Sequence, residues 1–187
     1  MYKTLALPKS KGITYAFLTV LLGSGLLALA SQVSIPIPFT PIPMSLQSLA
    51  VFFLAATLGG KRAFLSVMLY LIEGSFGLPV FAMAKINPLW FIGPSAGYLI
   101  GFAFTAFFLG IFLEKKSQLS FLSLISLLTL ADGLIIASGS LWLALFFGLE
   151  HGFQLGSLPF ILIEGAKITF AASCMICFRT IKKYLSA

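Results

Sequence analysis

Six stretches of this chain are almost wholly apolar, and each is closed by a short polar, glycine-rich or proline-rich segment. The first runs from Ile13 to Ile35, the second from Ser45 to Leu58, and the third from Ala63 to about Phe76. The fourth is led in by Gly93–Tyr98 and ends at Glu114-Lys115-Lys116; the fifth spans Leu119–Leu149 and the sixth about Leu158–Phe178. None shows the alternating ten-residue segments of a membrane β-barrel, so the pattern predicts six transmembrane helices. The fifth exceeds the ~20 residues that cross a bilayer, so it is expected to be tilted, broken or partly interfacial.

Two interruptions are too irregular for helix. Ile35–Met44 reads I-P-I-P-F-T-P-I-P-M, and four prolines in eight residues exclude a regular helix. An uncharged loop of this kind either dips back to cover a cavity, since irregular backbone at membrane depth must be sheltered, or is a plain connector in which Phe39, Thr40 and Gln47 are incidental. The second interruption, Gly77–Gly93, holds Pro79, Lys85, Asn87, Pro88 and Trp90. A connector this long without periodicity tends to be functional. Gly59-Gly60-Lys61-Arg62 reads as a tight basic turn, and Glu150-His151 as the turn before the last helix.

Composition strengthens the membrane reading. The chain is 59% hydrophobic and 9% charged, with a mean hydropathy of +1.07, whereas a soluble domain is about one quarter charged. A single membrane domain, residues 1–187, is expected. The net charge of +7 does not indicate nucleic acid, because the basic residues cluster between apolar runs and no nucleic-acid motif is present. Ten of the twelve Lys and Arg residues fall on the termini and the even-numbered loops: Lys3, Lys9, Lys11, Lys61, Arg62, Lys115, Lys116, Arg179, Lys182 and Lys183. By the positive-inside rule both termini are expected in the cytoplasm of a multi-pass cytoplasmic-membrane protein. Residues 1–12 resemble a signal-peptide n-region, but the run that follows is too long for an h-region, so it is read as a retained first span.

Candidate chemistry is sparse. Glu164 and Lys167 lie three residues apart near the start of the last helix, on one face, with Pro159 suited to its first turn. Ionisable groups inside a span are expensive and mark function by default; alternatively the pair only fixes helix register in a structural subunit. Both long connectors and the start of this helix fall on the outer side. The pattern therefore implies an outward-facing pocket roofed by apolar loops, suited to a small, partly apolar ligand with N–H donors and a carboxylate. In the first run Ser24 and Ala28, with Gly25 beside them, form a small-xxx-small pair that permits close helix approach, either within the bundle or to a partner.

Several activities are excluded or weak. No phosphate-binding loop is present, so the chain cannot use ATP itself. No metal-ligand cluster and no cofactor motif appear. Cys174 and Cys177 sit near the end of the last helix, the wrong end for a reactive thiol, and read as packing residues. Ser138 and Ser140 flank Gly139 without a histidine to serve them, and a hydrolase built on Asp132, Glu164 and His151 would need three scattered groups. The chain reads as a binding and transport protein, not an enzyme.

P-F-T-P-I-P-M-S-L-Q (Pro38–Gln47), G-L-P-V-F (Gly77–Phe81), G-P-S-A-G-Y-L-I-G-F (Gly93–Phe102) and L-P-F…E-x-x-K (Leu158–Lys167), in this order, closely resemble the BioY family, the biotin-specific substrate-binding S components of energy-coupling-factor transporters. The resemblance implies an all-α six-helix fold that captures biotin from outside and places Glu164 and Lys167 at the biotin site. The family usually has Asp where Glu164 stands, and a glycine-rich loop where this chain reads A-M-A-K-I-N, so Lys85 or Asn87 is expected to replace a polar ligand contact. Lys85 is placed to meet the valerate carboxylate. Phe39, Phe81 and Trp90 are expected to cover the bicycle, with Thr40, Gln47 and Tyr98 alongside. Glu73, where an apolar residue is usual, is expected to pair with Lys85. The resemblance further implies contact of Ser24 and Ala28 with a transmembrane coupling subunit that rests on two ABC-type ATPases. A solitary biotin facilitator, or a carrier of a biotin relative such as dethiobiotin, is the alternative within transport.

Overall fold

The computed structural model describes residues 12–116 and 118–185. Lys3, Lys9 and Lys11, counted above for topology, lie outside them, as do the side chains of Lys182 and Lys183. The elements are α1 (Ile13–Gln32), β1 (Ser34–Ile35), β2 (Met44–Ser45), α2 (Gln47–Leu58), α3 (Gly60–Ser75), α4 (Ala96–Lys115), α5 (Phe121–Phe147), α6 (Leu149–Gly156) and α7 (Ile161–Leu185). Two single turns of tighter helix, Ala82–Ala84 and Trp90–Ile92, punctuate the connector between α3 and α4.

Among the described residues four helices, α1, α4, α5 and the Ile161–Ile181 part of α7, are long and apolar enough to cross a membrane. At 12 and 16 residues, α2 and α3 are shorter. The fifth apolar run is one continuous 27-residue helix, about 40 Å long at the usual rise. It stops at Gly148, whose φ of +81° turns the chain into α6. Glu150 and His151 therefore lie in a short helix rather than in a turn. Likewise Lys61 and Arg62 belong to the first turn of α3, because Gly59 alone, at φ +77°, reverses the chain. The last helix starts later than the apolar run suggests, since 157–160 form a turn ahead of it.

The centre of the bundle is α4. Of its apolar span 67% is buried, against 22%, 28% and 33% for α1, α5 and α7. It packs on α2, α3 and α5, and Thr105 Oγ1 ties it to α5 through Ala131 O at 3.2 Å. Around this core a belt of large apolar side chains faces outward, including Leu22, Leu29, Phe104, Phe108, Leu130, Leu145 and Phe170. An exposed apolar belt of this extent is the surface expected against lipid.

The proline-rich segment is a miniature hairpin. Ser34 pairs with Ser45 and Ile35 with Met44, antiparallel. Prolines cannot donate to such a ladder, and Pro36, Pro38, Pro41 and Pro43 all lie in the connecting loop. Basic groups collect at the other end of the bundle. Arg62 lies over the Tyr15 ring at 5.7 Å, joining the starts of α3 and α1, and Arg179 donates to Leu119 O at 3.4 Å, joining α7 to the segment just before α5.

Candidate binding site

At the end opposite the basic groups, the hairpin, the start of α2, the Gly77–Gly93 connector, the start of α4, the middle of α5 and the start of α7 enclose a cavity of about 190 Å³. Its floor is ionic. Glu164 and Lys167 are both buried, 8% and 7% exposed. Glu164 Oε1 accepts from Lys167 Nζ, and the ammonium also donates to Ser45 O at 2.9 Å and Ser48 Oγ at 2.8 Å. Ser48 Oγ in turn donates to Glu164 Oε2 at 3.0 Å. An ammonium carries three donors, so all three have acceptors inside the protein. Lys167 thus neutralises Glu164.

The local sequence explains this knot. Gln47 opens α2 and is held from both sides: its Oε1 accepts from Ser45 Oγ at 2.9 Å, and its Nε2 donates to Tyr70 OH at 2.7 Å. That fixes the hairpin's second strand against α2 and brings Ser45 O and Ser48 over α7. A second carboxyl completes the floor. Asp132, 4% exposed in the middle of α5, lines the cavity and is close enough to Glu164 and Lys167 to interact with both charges.

Aromatic side chains build the walls. Phe81 is buried and meets Tyr70 edge-to-face at 5.5 Å, with Trp90 at 6.4 Å. Its ring lies against Gly74, where a Cβ would occupy the same space. The Trp90 indole N–H is held by Ser75 Oγ at 2.9 Å, and Trp90 lines the cavity. Tyr98 fits against Gly139 in the same way, donates its hydroxyl to Gly156 O at 2.6 Å, and lies 6.1 Å from Phe160.

Loops form the roof, fastened by the polar end of α1. Ser31 Oγ donates to Val80 O. Gln32 Nε2 lies 3.3 Å from both Pro79 O and Phe81 O, while its Oε1 accepts from Ala84 N at 2.9 Å. Ser34 Oγ accepts from Met83 N at 3.1 Å. Met83 and Ala84 have φ of +63° and +53°, a left-handed conformation that is unfavourable for non-glycine residues. Both backbone N–H groups are held there by side chains from α1 and β1.

Seven of the ten side chains picked from sequence line this cavity: Glu164, Lys85, Asn87, Gln47, Phe81, Trp90 and Tyr98. Lys167 stands behind Glu164. Phe39 and Thr40 do not line it. Phe39 sits at the hairpin tip with φ +71° and is 95% exposed, while Thr40 Oγ1 accepts from Ile42 N at 3.3 Å and shapes the turn. The hairpin aims both away and presents Pro41–Pro43 instead.

Three further expectations need correction. Glu73 does not pair with Lys85: Glu73 Oε1 accepts from Ser24 Oγ at 2.9 Å, and among the described residues Lys85 makes no ion pair. Ser24 is correspondingly fully buried and unavailable as a surface contact; Ala28 is partly buried against the core. The outward face of α1 carries Gly25 instead, with open space where its side chain would be. Cys177, read as a packing residue, is exposed, and Cys174 half-buried.

Sequence reading missed Ser48 and the Ser45 carbonyl, although Ser45, Gln47 and Ser48 stand together as a polar cluster at the head of the second apolar run. It also passed over Asp132 as a binding group. A lone acid in a long apolar helix is the signal that singled out Glu164.

A bundle of helices able to span a membrane, with a polar-floored cavity at one end, defines a membrane protein with a site for a small molecule. The fold matches the solved structure described as the S-component for biotin from an ECF-type ABC transporter, with a TM-score of 0.81 over 95% of each chain at 23% identity. The chain belongs to the BioY family, whose model matches residues 4–185. It is 36% identical over 163 residues to the "Probable biotin transporter BioY" of Pyrococcus horikoshii, covering 87% of this chain and 93% of that one. It is 35% identical over 139 residues to the "Biotin transporter BioY" of Thermotoga maritima, covering 74% and 81%.

Proposed function

We propose that this protein captures biotin at the outer face of the cytoplasmic membrane and delivers it inward as the S component of an energy-coupling-factor transporter. The observation that carries the proposal is the cavity itself, with a buried Glu164–Lys167–Ser48 knot beneath Phe81, Trp90 and Tyr98. Biotin's bicycle is apolar except for a ureido group with two N–H donors and a carbonyl, and its tail ends in a carboxylate. Carboxylate oxygens on the floor suit the N–H donors, because hydrogen bonds to charged acceptors are the stronger class. Lys167 supports Glu164 rather than reaching for the ligand. The aromatic walls exclude water from the bicycle, and Lys85, exposed at the rim, suits the tail carboxylate.

Six spans are proposed, α1 to α5 and α7, with α6 at the outer face. Although α2 is only 12 residues long, eight of them are buried, so it is shielded by its neighbours rather than by matching the full lipid thickness. Lys61, Arg62, Lys115, Lys116 and Arg179 gather away from the cavity, which supports cytoplasmic termini and an outward-opening site. Energy is proposed to come from the transmembrane coupling subunit and a pair of ATPases. With Ser24 turned inward, the contact on α1 is assigned to Gly25 and the edge at Ala28.

Calorimetry of the purified protein in detergent, with biotin, dethiobiotin and riboflavin, tests the capture step. Roughly one-to-one, selective binding of biotin without ATP is expected. Glu164→Gln is expected to weaken it at least tenfold, about 1.4 kcal/mol. No heat from biotin in folded wild-type protein would remove the proposal, and an unchanged affinity in Glu164→Gln would move the site elsewhere. Uptake in cells lacking the coupling subunits separates an energised carrier from a solitary facilitator.

A further inference from the structure

Asp132 stands at the edge of the ionic knot, within hydrogen-bonding reach of Glu164, and the packing of the bundle does not require it. It lies in the middle of a helix otherwise devoid of charge, is 4% exposed, and lines the cavity. Its Oδ1 is the buried side-chain oxygen that lacks any hydrogen-bond partner among the described residues. Glu164 and Lys167, the charges that act on it, are already matched to one another: the ammonium's three protons go to Glu164, Ser48 and Ser45 O. Two carboxyl groups therefore share a floor with one cation whose donors are all engaged.

A buried carboxylate oxygen without a donor is costly in a low-dielectric interior. A sequence that only needed to pack α5 would place Leu or Ala there. Retaining an acceptor at the wall of a cavity makes sense when a donor arrives with the ligand. We propose that Asp132 is a second ligand-binding carboxyl group, which accepts one N–H of the bound head group at the cavity wall while Glu164 accepts the other. This rests on the functional reading above and sharpens it: the site selects a head group with two N–H donors, as in a cyclic urea, and penalises one in which a donor has been replaced.

The role makes an uncommon pair of demands. Removing the carboxyl should relieve the ligand-free protein of a desolvated, unpaired group, while depriving the ligand of an acceptor. Asp132→Leu is therefore expected to raise the melting temperature of ligand-free protein in detergent and, in the same preparation, to weaken biotin binding tenfold or more. Asp132→Asn keeps a carbonyl acceptor without the charge, and its loss is expected to be smaller than that of Asp132→Leu. A ligand–residue cycle locates the contact. Biotin singly methylated at the ureido nitrogen that faces Asp132 should bind wild type more weakly than biotin does, yet bind Asp132→Leu no more weakly than biotin does. Both singly methylated isomers are assayed.

Equal biotin affinity in wild type and Asp132→Leu overturns the assignment. So does a fall in both melting temperature and affinity, which marks a structural role, or additive losses for both methylated isomers. Wild-type protein that takes up no biotin overturns the functional reading itself, and this inference with it. Binding by wild type with none of the expected Asp132 effects overturns only the inference.

Discussion

The floor and the roof of the cavity are held by opposite means. The floor is closed upon itself: Glu164, Lys167, Ser48 and Ser45 O satisfy one another through four hydrogen bonds between α7, α2 and the strand that leads into it. The roof rests on the Gly77–Gly93 connector, with left-handed residues at Met83 and Ala84, tied down by the side chains of Ser31, Gln32 and Ser34. A charge network on helices changes only by breaking, whereas a strained loop on a few side-chain hydrogen bonds opens locally at small cost. The difference suits a site that must recognise a ligand with a fixed constellation and yet let it in and out. In this reading selectivity resides below and access above.

Breaking the floor should have the largest effect. Lys167→Ala leaves Glu164 and Asp132 buried without a cation, and loss of one partner of a buried pair destabilises by about 3–5 kcal/mol. Biotin binding is expected to fall by at least about a hundredfold, with a lower melting temperature in detergent. Lys167→Met combined with Glu164→Gln removes both charges of the pair and, with Asp132 still buried beside it, should recover part of the stability, since replacing a whole buried pair is often neutral. It should not recover binding. Recovery of both would mean that the pair only holds the helices in register.

Loosening the roof should cost less and show a different signature. Gln32→Ala removes the acceptor at Ala84 N and the donor near Pro79 O and Phe81 O, and each such bond contributes about 1 kcal/mol. Faster hydrogen exchange at residues 79–86 is expected, with melting temperature nearly unchanged and biotin affinity about fivefold weaker, mainly through the off-rate. Unaltered exchange in that loop would show that other contacts hold it.

These asymmetries also mark what could be read from the chain alone. Glu164 and Lys167 were legible because an acid and a base one turn apart stand out in an apolar helix, where each alone is expensive to bury. Their partner Ser48 was not, because it lies 116 residues from Glu164 in sequence and only the packing of α2 on α7 brings it there. The membrane class and the principal helices followed from hydropathy. The inward face of α1 did not, because the helix is apolar on all sides and its periodicity cannot say which side meets the bundle; Ser24 turns inward to Glu73. Phe39 was misplaced for a related reason. Prolines announced an irregular loop, but whether its aromatic tip turns in or out depends on the pairing of Ser34–Ile35 with Met44–Ser45, which two-residue strands barely signal.

The rim offers the finest test of the division between floor and roof. Lys85 lines the mouth yet is exposed and, among the described residues, makes no ion pair. A solvated cation there attracts a carboxylate weakly and is screened by salt. Lys85→Gln is therefore expected to weaken biotin binding by only about threefold at low salt, in keeping with exposed ion pairs, and the gap should close as ionic strength rises. Biotin amide, which lacks the tail charge, should bind Lys85→Gln and wild type alike. If the amide loses as much as the acid, Lys85 acts by shaping the loop between Phe81 and Trp90, and the tail carboxylate is recognised elsewhere. If the acid alone loses affinity, the rim reads the tail, the floor reads the head, and the two contributions should add, because groups without shared partners contribute independently.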